Sequence, residues 1–128
     1  IARCGAAGRT PALLGMHSFT QVWKGTPRPW HAGVLWEQDE RLAMPLLAAL
    51  RAQTDLVVGE NEPYPGQYEG DTMWQHGTMP GRAFAAIEVR QDLIGNAAGQ
   101  RAWGERLARI LAGILERPAL LERLAQAP

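Results

Sequence analysis

Two short apolar segments, residues 13–20 and 85–93, place the strongest constraint on how this chain folds. Each has the composition of a buried β-strand and runs into polar residues at its end. The first carries His17 and the second carries Glu88, each at or just inside the carboxyl end of its predicted strand. Open α/β sheets gather their chemically active side chains at such ends. A histidine and a glutamate in these positions suggest a metal ligand and a general base.

The composition is that of one soluble globular domain. The 128 residues are 46% hydrophobic, which is enough for a single packed core. Thirteen basic and thirteen acidic residues balance, so the charge favours neither nucleic acid nor a membrane surface as a partner, and small molecules are the expected ligands. Cys4 is the only cysteine, which excludes an intrachain disulfide and predicts a reducing, cytoplasmic location. Because the chain starts at Ile1 in a loop-like segment, we expect that an N-terminal part is missing.

The order of the predicted elements indicates a mixed α/β fold. Strands are predicted at residues 13–19, 33–36, 55–59 and 83–89, with helices starting after Asp39, around residues 103–115 and after Pro118. This order predicts a mixed, largely parallel sheet flanked by helices in a single domain, residues 1–128. Residues 1–11 are predicted to be the tail of a lost element followed by a linker, and residues 20–32 and 60–82 to be long loops. Because residues 60–82 contain Tyr64, Tyr68 and Trp74, we expect them to form the wall of a pocket.

Glu88 is the most unusual residue, since a carboxylate interrupts an otherwise apolar strand. Burying it without a partner would be costly, so it needs an ion pair, a metal or a reaction nearby. The simplest structural partner is Arg90, two residues on and therefore on the same face of the strand. His17 could likewise be a metal ligand or a structural residue. A lone histidine at a strand end is more often structural than a metal ligand.

The polar residues of the predicted loops carry weaker signals. Arg28 lies between two prolines, which would hold its guanidinium ready for an anionic ligand, although it could equally be solvated. Asn61 and Glu62 precede Pro63 and could be fixed near a site or could form a turn. His76 could bond a reacting group or cap a turn. Because all of these follow strand ends, we expect them to meet at one edge of the sheet.

Several of these segments, taken in order, resemble the N-formylglutamate amidohydrolase family. They are His-Ser-Phe-Thr at 17–20, Arg-Pro-Trp at 28–30, Gly-Val-Leu at 33–35, Gly-Glu-Asn-Glu-Pro-Tyr at 59–64, His-Gly at 76–77 and Ile-Glu-Val-Arg-Gln-Asp-Leu at 87–93. The similarity covers roughly residues 12–112. It implies a phosphorylase/hydrolase-like fold, similar to that of the zinc carboxypeptidases and incomplete at the N-terminus, with this chain as the C-terminal part of the catalytic domain.

The resemblance also implies a role for each candidate residue. His17 would be a zinc ligand and Glu88 the general base and acid, while the other zinc ligands, a histidine and an acidic residue, would come from the missing N-terminal part. Substrate-binding roles would fall to six further residues: Arg28, Asn61, Glu62, Tyr64, His76 and Arg90. Arg28 and Arg90 would hold carboxylates or the scissile carbonyl oxygen, and the other four would line the pocket.

The implied reaction is zinc-dependent hydrolysis of N-formyl-L-glutamate to formate and L-glutamate, by a longer chain of which this is a part. Two alternatives stay open. One is a hydrolase of another N-acyl amino acid or of a peptide-like amide. The other is an inactive fragment or interaction module that keeps the fold without a metal. In either case we expect a small-molecule ligand rather than nucleic acid or membrane, and we expect the 128 residues alone to be inactive and to bind zinc weakly or not at all.

Overall fold

The structure is a computed structural model that describes residues 1–66 and 69–126. Four strands form the main sheet and two short strands form a separate hairpin, with four α-helices in addition. The strands are β1 (Leu13–Phe19), β2 (Val22–Trp23), β3 (Thr26–Pro27), β4 (Ala32–Leu35), β5 (Val58–Glu60) and β6 (Phe84–Arg90). The helices are α1 (Ala2–Ala6), α2 (Glu40–Arg51), α3 (Ala97–Leu115) and α4 (Pro118–Ala125).

The main sheet has the strand order β1-β6-β4-β5. Strand β1 runs parallel to β6 and β4 runs parallel to β5, whereas β4 runs antiparallel to β6. Two of the three pairings are therefore parallel, which confirms the predicted mixed, largely parallel sheet. Because of the antiparallel pairing, β4 and β5 run in the opposite direction to β1 and β6. The carboxyl ends of β1 and β6 lie at the same edge as the amino ends of β4 and β5.

This reversal corrects the expectation that all the loop residues emerge at one edge. His17, Glu88 and the segment that enters β4 do share an edge. Asn61, however, follows β5 and so lies at the opposite edge, where its backbone amide donates to the carbonyl of Val34 at 2.9 Å. Asn61 lies at the opposite edge because β4 pairs with β6 in the antiparallel direction. No local pattern in the sequence predicts the direction of this pairing.

Helices α2, α3 and α4 cover one face of the sheet. Helix α2 starts at the N-cap Asp39, whose carboxylate accepts from the backbone amide of Arg41, and α3 starts at the N-cap Asn96. Their apolar faces and that of α4 bury alternate residues of the central strands. The core from the sheet consists of Ala32, Val34, Ala85, Ile87 and Val89. The opposite face of the sheet is therefore left to the loops, and it is there that His17 and Glu88 lie.

Three segments differ from their predicted structure. Residues 20–32 contain the β2–β3 hairpin, because Lys24 and Gly25 adopt the positive φ values, 47° and 81°, that a tight two-residue turn needs. Trp74–Thr78 form a π-helical turn within the predicted loop. The strand predicted at residues 55–59 starts only at Val58, since β5 is Val58–Glu60. None of the helices described is long and apolar enough to cross a membrane.

Candidate active site

His17 and Glu88 are direct neighbours in the sheet. They are Cα partners in the pairing of β1 with β6, and Gly33 of β4 is the partner of Glu88 on its other side. Directly paired residues project from the same face, so the imidazole and the carboxylate share one surface. Both line a cavity of about 320 Å³. The structure therefore brings together two residues that are 71 positions apart in the sequence.

Glu88 is buried because a loop crosses the sheet beside it. Gly33 has no side chain, and the backbone of Glu62 packs into the space, so that any Cβ at Gly33 would overlap the Glu62 carbonyl. The loop continues to Tyr64 and Gly66, which line the same cavity as Glu88. As a result Glu88 is only 6% exposed. The glycine thus allows the loop to pack closely beside Glu88.

The carboxylate of Glu88 has an unsatisfied oxygen. Its Oε2 atom is buried and has no hydrogen-bond partner among the described residues. The simple alternative, an ion pair with Arg90, is wrong, because Arg90 bonds to Asp92 instead. Burial raises the pKa of Glu88 above its ordinary value, and the charges of His17 and Arg28 oppose this rise. A buried carboxyl with a raised pKa and a free oxygen is suited to accept a proton.

The imidazole of His17 lies back along its own strand over Gly15. A Cβ added at Gly15 would lie 3.2 Å from His17 Nε2 and 3.3 Å from Met73 Sδ. The absence of a side chain at Gly15 therefore leaves the space that the imidazole and the methionine occupy. His17 itself is exposed, so one side of the ring is open to a ligand.

Arg28 lies at the same edge, held by aromatic rings. Its guanidinium carbon is 4.9 Å from the ring centroid of Tyr64, 5.5 Å from that of Trp23 and 5.8 Å from that of Phe19. The Nη1 atom donates to Tyr64 Oη at 3.2 Å and to the hydroxyl and carbonyl oxygens of Thr20 at 3.2 and 3.3 Å. These contacts fix a cation near Glu88, in agreement with its effect on the pKa of that carboxyl.

Arg90 is engaged within the protein. Its Nε and Nη2 atoms donate to the two carboxylate oxygens of Asp92 at 2.7 and 3.2 Å, and this bond lowers the pKa of Asp92. Its Nη1 atom donates to the carbonyls of Trp30 and Arg28 at 3.3 and 3.4 Å. Arg90 therefore anchors the segment that carries Arg28. Its guanidinium is occupied on both sides, and it does not line the cavity.

The remaining predicted residues are dispersed. Of these, only Tyr64 lines the cavity with His17 and Glu88. Asn61 has a positive φ of 51°, and its side-chain oxygen accepts from the backbone amide of Trp36 at 2.8 Å, which fixes the turn after β5. Glu62 contributes its backbone, as described above. His76 is exposed in the π-helical turn, where its carbonyl accepts from Arg82 Nη1 at 2.9 Å.

The stretch 60–82 does line the cavity, but largely through residues that the sequence did not single out. They are Gly66, Asp71 and Met73, in addition to Tyr64. Trp74 is half-buried, and Tyr68 lies outside the described residues. The cavity floor, Leu35, Phe84 and Ala86, was also not predicted as part of a site. A signal for it existed, because Phe84 and Ala86 precede Glu88 at intervals of two and must share its face of the strand.

Metal ligands are scarce in this part of the protein. No group of three or more histidine, cysteine, aspartate or glutamate side chains in residues 1–66 and 69–126 is arranged to hold a metal ion. His17, the ligand that the sequence predicted, lies beside a carboxylate that has a free oxygen.

The fold and the site define a class of protein: a mixed α/β domain with a buried carboxylate and an imidazole side by side near the carboxyl ends of two parallel strands. Comparison with known families gives a narrower assignment. The sequence profile of the N-formylglutamate amidohydrolase family matches residues 1–95, which is most of the chain. The chain belongs to this family.

A solved structure is similar to this chain in fold and in sequence. The crystal structure of the gene product Atu2144 from Agrobacterium tumefaciens is similar, with a TM-score of 0.74 and 34% sequence identity. The match covers 88% of this chain and 46% of that one, so the present chain spans about half the length of its structural relative. A comparison with curated proteins found no match.

Proposed function

We propose that this chain forms the part of a zinc-dependent amidohydrolase that carries the general base, and that its reaction is the hydrolysis of N-formyl-L-glutamate to formate and L-glutamate. The observation that carries the proposal is Glu88, a buried carboxylate with an unpartnered oxygen and a raised pKa, next to His17 in a cavity. Membership of the family supports an amide as the substrate. The lone Cys4 supports a reducing, cytoplasmic location.

The residues present fit only a part of a zinc site. His17 offers one nitrogen ligand, and catalytic zinc sites commonly use three protein ligands with one open position. We therefore propose that the further ligands come from residues beyond those of this chain. When bound, zinc would polarise the amide carbonyl and make water easier to deprotonate. Glu88 is kept out of the ligand set in this proposal, because a base must be free to accept a proton.

The role of Glu88 follows from its position. It takes a proton from the attacking water, whose oxygen forms the new bond to the formyl carbon. It then passes that proton to the amide nitrogen as the bond between carbon and nitrogen breaks. Formate keeps the oxygen of the water, and glutamate leaves with the proton on its amine. The raised pKa of Glu88 suits both steps, since the carboxylate must bind the proton and later release it.

Arg28 is the proposed contact for a carboxylate of the substrate. Its guanidinium is held by three rings and two residues with oxygen acceptors, so little side-chain freedom is lost on binding. Arginine also matches a carboxylate with two parallel hydrogen bonds. Arg90 supports this role indirectly, because it holds the backbone of Arg28 and Trp30.

Two variants of the full-length protein test the proposal. His17→Ala should lose zinc and activity, measured by metal analysis and by release of formate. Glu88→Gln should keep zinc but lose turnover by about a hundredfold or more. A matched control is Glu122→Gln, an exposed glutamate on α4, which should change neither. Unchanged zinc content in His17→Ala would contradict the ligand assignment, and full turnover in Glu88→Gln would contradict the base.

The same protein distinguishes the alternatives. A hydrolase of another N-acyl amino acid would release a different acid and should still depend on Glu88. An inactive interaction module would bind no zinc and hydrolyse none of these amides. The isolated 128 residues should bind zinc weakly or not at all, since they contribute one ligand in this proposal.

A further inference from the structure

The two arginines at the edge of the site use their hydrogen-bond donors in different ways. The Nη1 atom of Arg28 bonds to Tyr64 and Thr20, whereas its Nε and Nη2 atoms donate to no acceptor among the described residues. In Arg90 all three nitrogens are engaged, Nε and Nη2 on Asp92 and Nη1 on backbone carbonyls. Arg28 is therefore the guanidinium that has two adjacent donors left for a carboxylate, which it can bind with two parallel hydrogen bonds.

The segment that carries Arg28 is held by Arg90. The Nη1 atom of Arg90 donates to the carbonyls of Arg28 and Trp30, and its backbone amide donates to the carbonyl of His31 at 3.0 Å. Three carbonyls between residues 28 and 31 thus accept from this one residue at the end of β6. The position of Arg28 in the site therefore depends on the orientation of the Arg90 side chain.

Asp92 fixes that orientation. It lies in the 3-10 turn directly after β6, and its two carboxylate oxygens accept from Nε and Nη2 of Arg90 at 2.7 and 3.2 Å. Such a two-bond contact sets the plane of the guanidinium as well as its position. The remaining nitrogen, Nη1, is consequently directed at the carbonyls of Arg28 and Trp30. Asp92 itself does not line the cavity, so its effect on the site passes through Arg90.

We infer that Asp92 is a positioning residue for substrate recognition: it orients Arg90, which holds the backbone of Arg28 so that its free donors meet a carboxylate of the substrate. This inference rests on the proposed function, in which Arg28 binds that carboxylate. Asp92 sets the preference for acidic N-acyl amino acids and takes no part in proton transfer at the amide. The effect is measurable because a displacement of about 1 Å in a binding group can cost up to about a hundredfold in rate.

Substrates that differ in one carboxylate measure this preference in the zinc-loaded, full-length protein. They are N-formyl-L-glutamate and its two monoamides, N-formyl-L-glutamine and N-formyl-L-isoglutamine, in which the side-chain or the α-carboxylate is replaced by a neutral amide. We expect wild-type kcat/KM to be about tenfold or more higher for N-formyl-L-glutamate than for at least one monoamide. Arg28→Gln should remove that preference, and the monoamide that shows it identifies the carboxylate bound by Arg28.

Asp92→Asn keeps the size of the side chain but ends the ionic, two-bond contact with Arg90. It should lower the same preference by about threefold to tenfold, through a higher KM for N-formyl-L-glutamate, while kcat for the monoamide is unchanged. Added to Arg28→Gln it should lower the preference no further, because it acts through Arg28. Rates that fall alike for all substrates, or a further loss of preference in the double variant, would contradict the inference.

Asp55→Asn is the matched control. Asp55 also binds an arginine with both carboxylate oxygens, Arg106 on α3, and neither residue lines the cavity. This variant should leave the preference unchanged. Arg90→Lys is a second test variant, since lysine keeps the charge but cannot make the two-bond contact with Asp92. It should lower the preference as Asp92→Asn does, and thermal melts establish which variants are folded.

The outcomes separate the inference from the proposed function. If Arg28→Gln removes the preference but folded Asp92→Asn and Arg90→Lys keep it, the inference is wrong and the proposed function stands. The same holds if Asp55→Asn lowers the preference equally, or if neither Asp92→Asn nor Arg90→Lys folds, because the pair then supports the fold and not recognition. If the wild type shows no preference, or Arg28→Gln keeps it, the inference fails together with the proposed role of Arg28. If N-formyl-L-glutamate is not hydrolysed at all, the proposed function fails as well.

Discussion

Replacing Glu88 by glutamine should make the protein more stable at neutral pH, even though it removes the proposed base. The carboxylate is 6% exposed and its Oε2 atom has no partner among the described residues. Leaving a buried polar atom unsatisfied costs about 1–3 kcal/mol, with the larger values for a charged group. Glutamine has the same length, and its amide would also lack a partner there, but it carries no charge, so the part of the cost that belongs to the buried charge is removed. We therefore expect a gain of about 1–3 kcal/mol in the free energy of unfolding at neutral pH.

The gain should depend on pH in a defined direction. The folded pKa of Glu88 is raised above its ordinary value of 4.5, so the folded state binds the proton more tightly than the unfolded state does. In the wild-type protein, the contribution of Glu88 to the free energy of unfolding is fully present below the ordinary pKa. It is lost as the pH rises through the folded pKa. Glutamine does not titrate. The advantage of Glu88→Gln should therefore be small in acid, grow across this window and level off above it.

Urea denaturation at a series of pH values measures the effect. For a domain of this size, 1 kcal/mol corresponds to a rise of about 3–5 °C in Tm, so thermal melts provide a second measurement. Glu122→Gln, which replaces an exposed carboxylate on α4, should change stability by less than about 0.5 kcal/mol at every pH. A less stable Glu88→Gln at neutral pH, or a difference that stays constant between about pH 4 and about pH 8, would refute the reasoning.

Three further predictions follow from single positions in the fold. Gly15→Ala puts a methyl group 3.2 Å from His17 Nε2. This variant should reduce turnover by the full-length protein by about tenfold to a hundredfold, while its melting temperature changes little. Unchanged turnover would show that the imidazole does not need this space. Gly113→Ala adds a Cβ that meets nothing within 4 Å on α3, and should stabilise the chain by about 1 kcal/mol in urea denaturation. An unchanged or lower free energy of unfolding would contradict this prediction. Arg28→Gln removes a positive charge that lowers the pKa of Glu88, so the acid limb of the pH profile of kcat/KM should move to higher pH; a shift to lower pH would contradict the assigned electrostatics.

Local sequence patterns determined the strands β1, β4 and β6, the helices α2, α3 and α4, and the two residues at the centre of the site. The apolar runs around His17 and Glu88 became β1 and β6, and the helical spacing after Asp39 became α2, because the periods of strands and helices are local properties of the chain. The sequence also indicated that Glu88 would be exceptional, since a carboxylate in an apolar strand must be buried. The family resemblance, carried by short segments along the chain, was confirmed by the profile match to residues 1–95.

Only the tertiary structure decided how these elements form a site. The pairing of β1 with β6 places His17 beside Glu88, and the reversal of β4 sends the residues after β5 to the opposite edge. Strand partners and directions depend on contacts between distant segments, which the alternation within one strand does not encode. The same holds for the packing of the Glu62 backbone on Gly33, the sheet partner of Glu88. The sequence identifies the residue types of the site. The burial and the pKa of Glu88 and the shape of the cavity depend on which segments of the folded chain pack against one another.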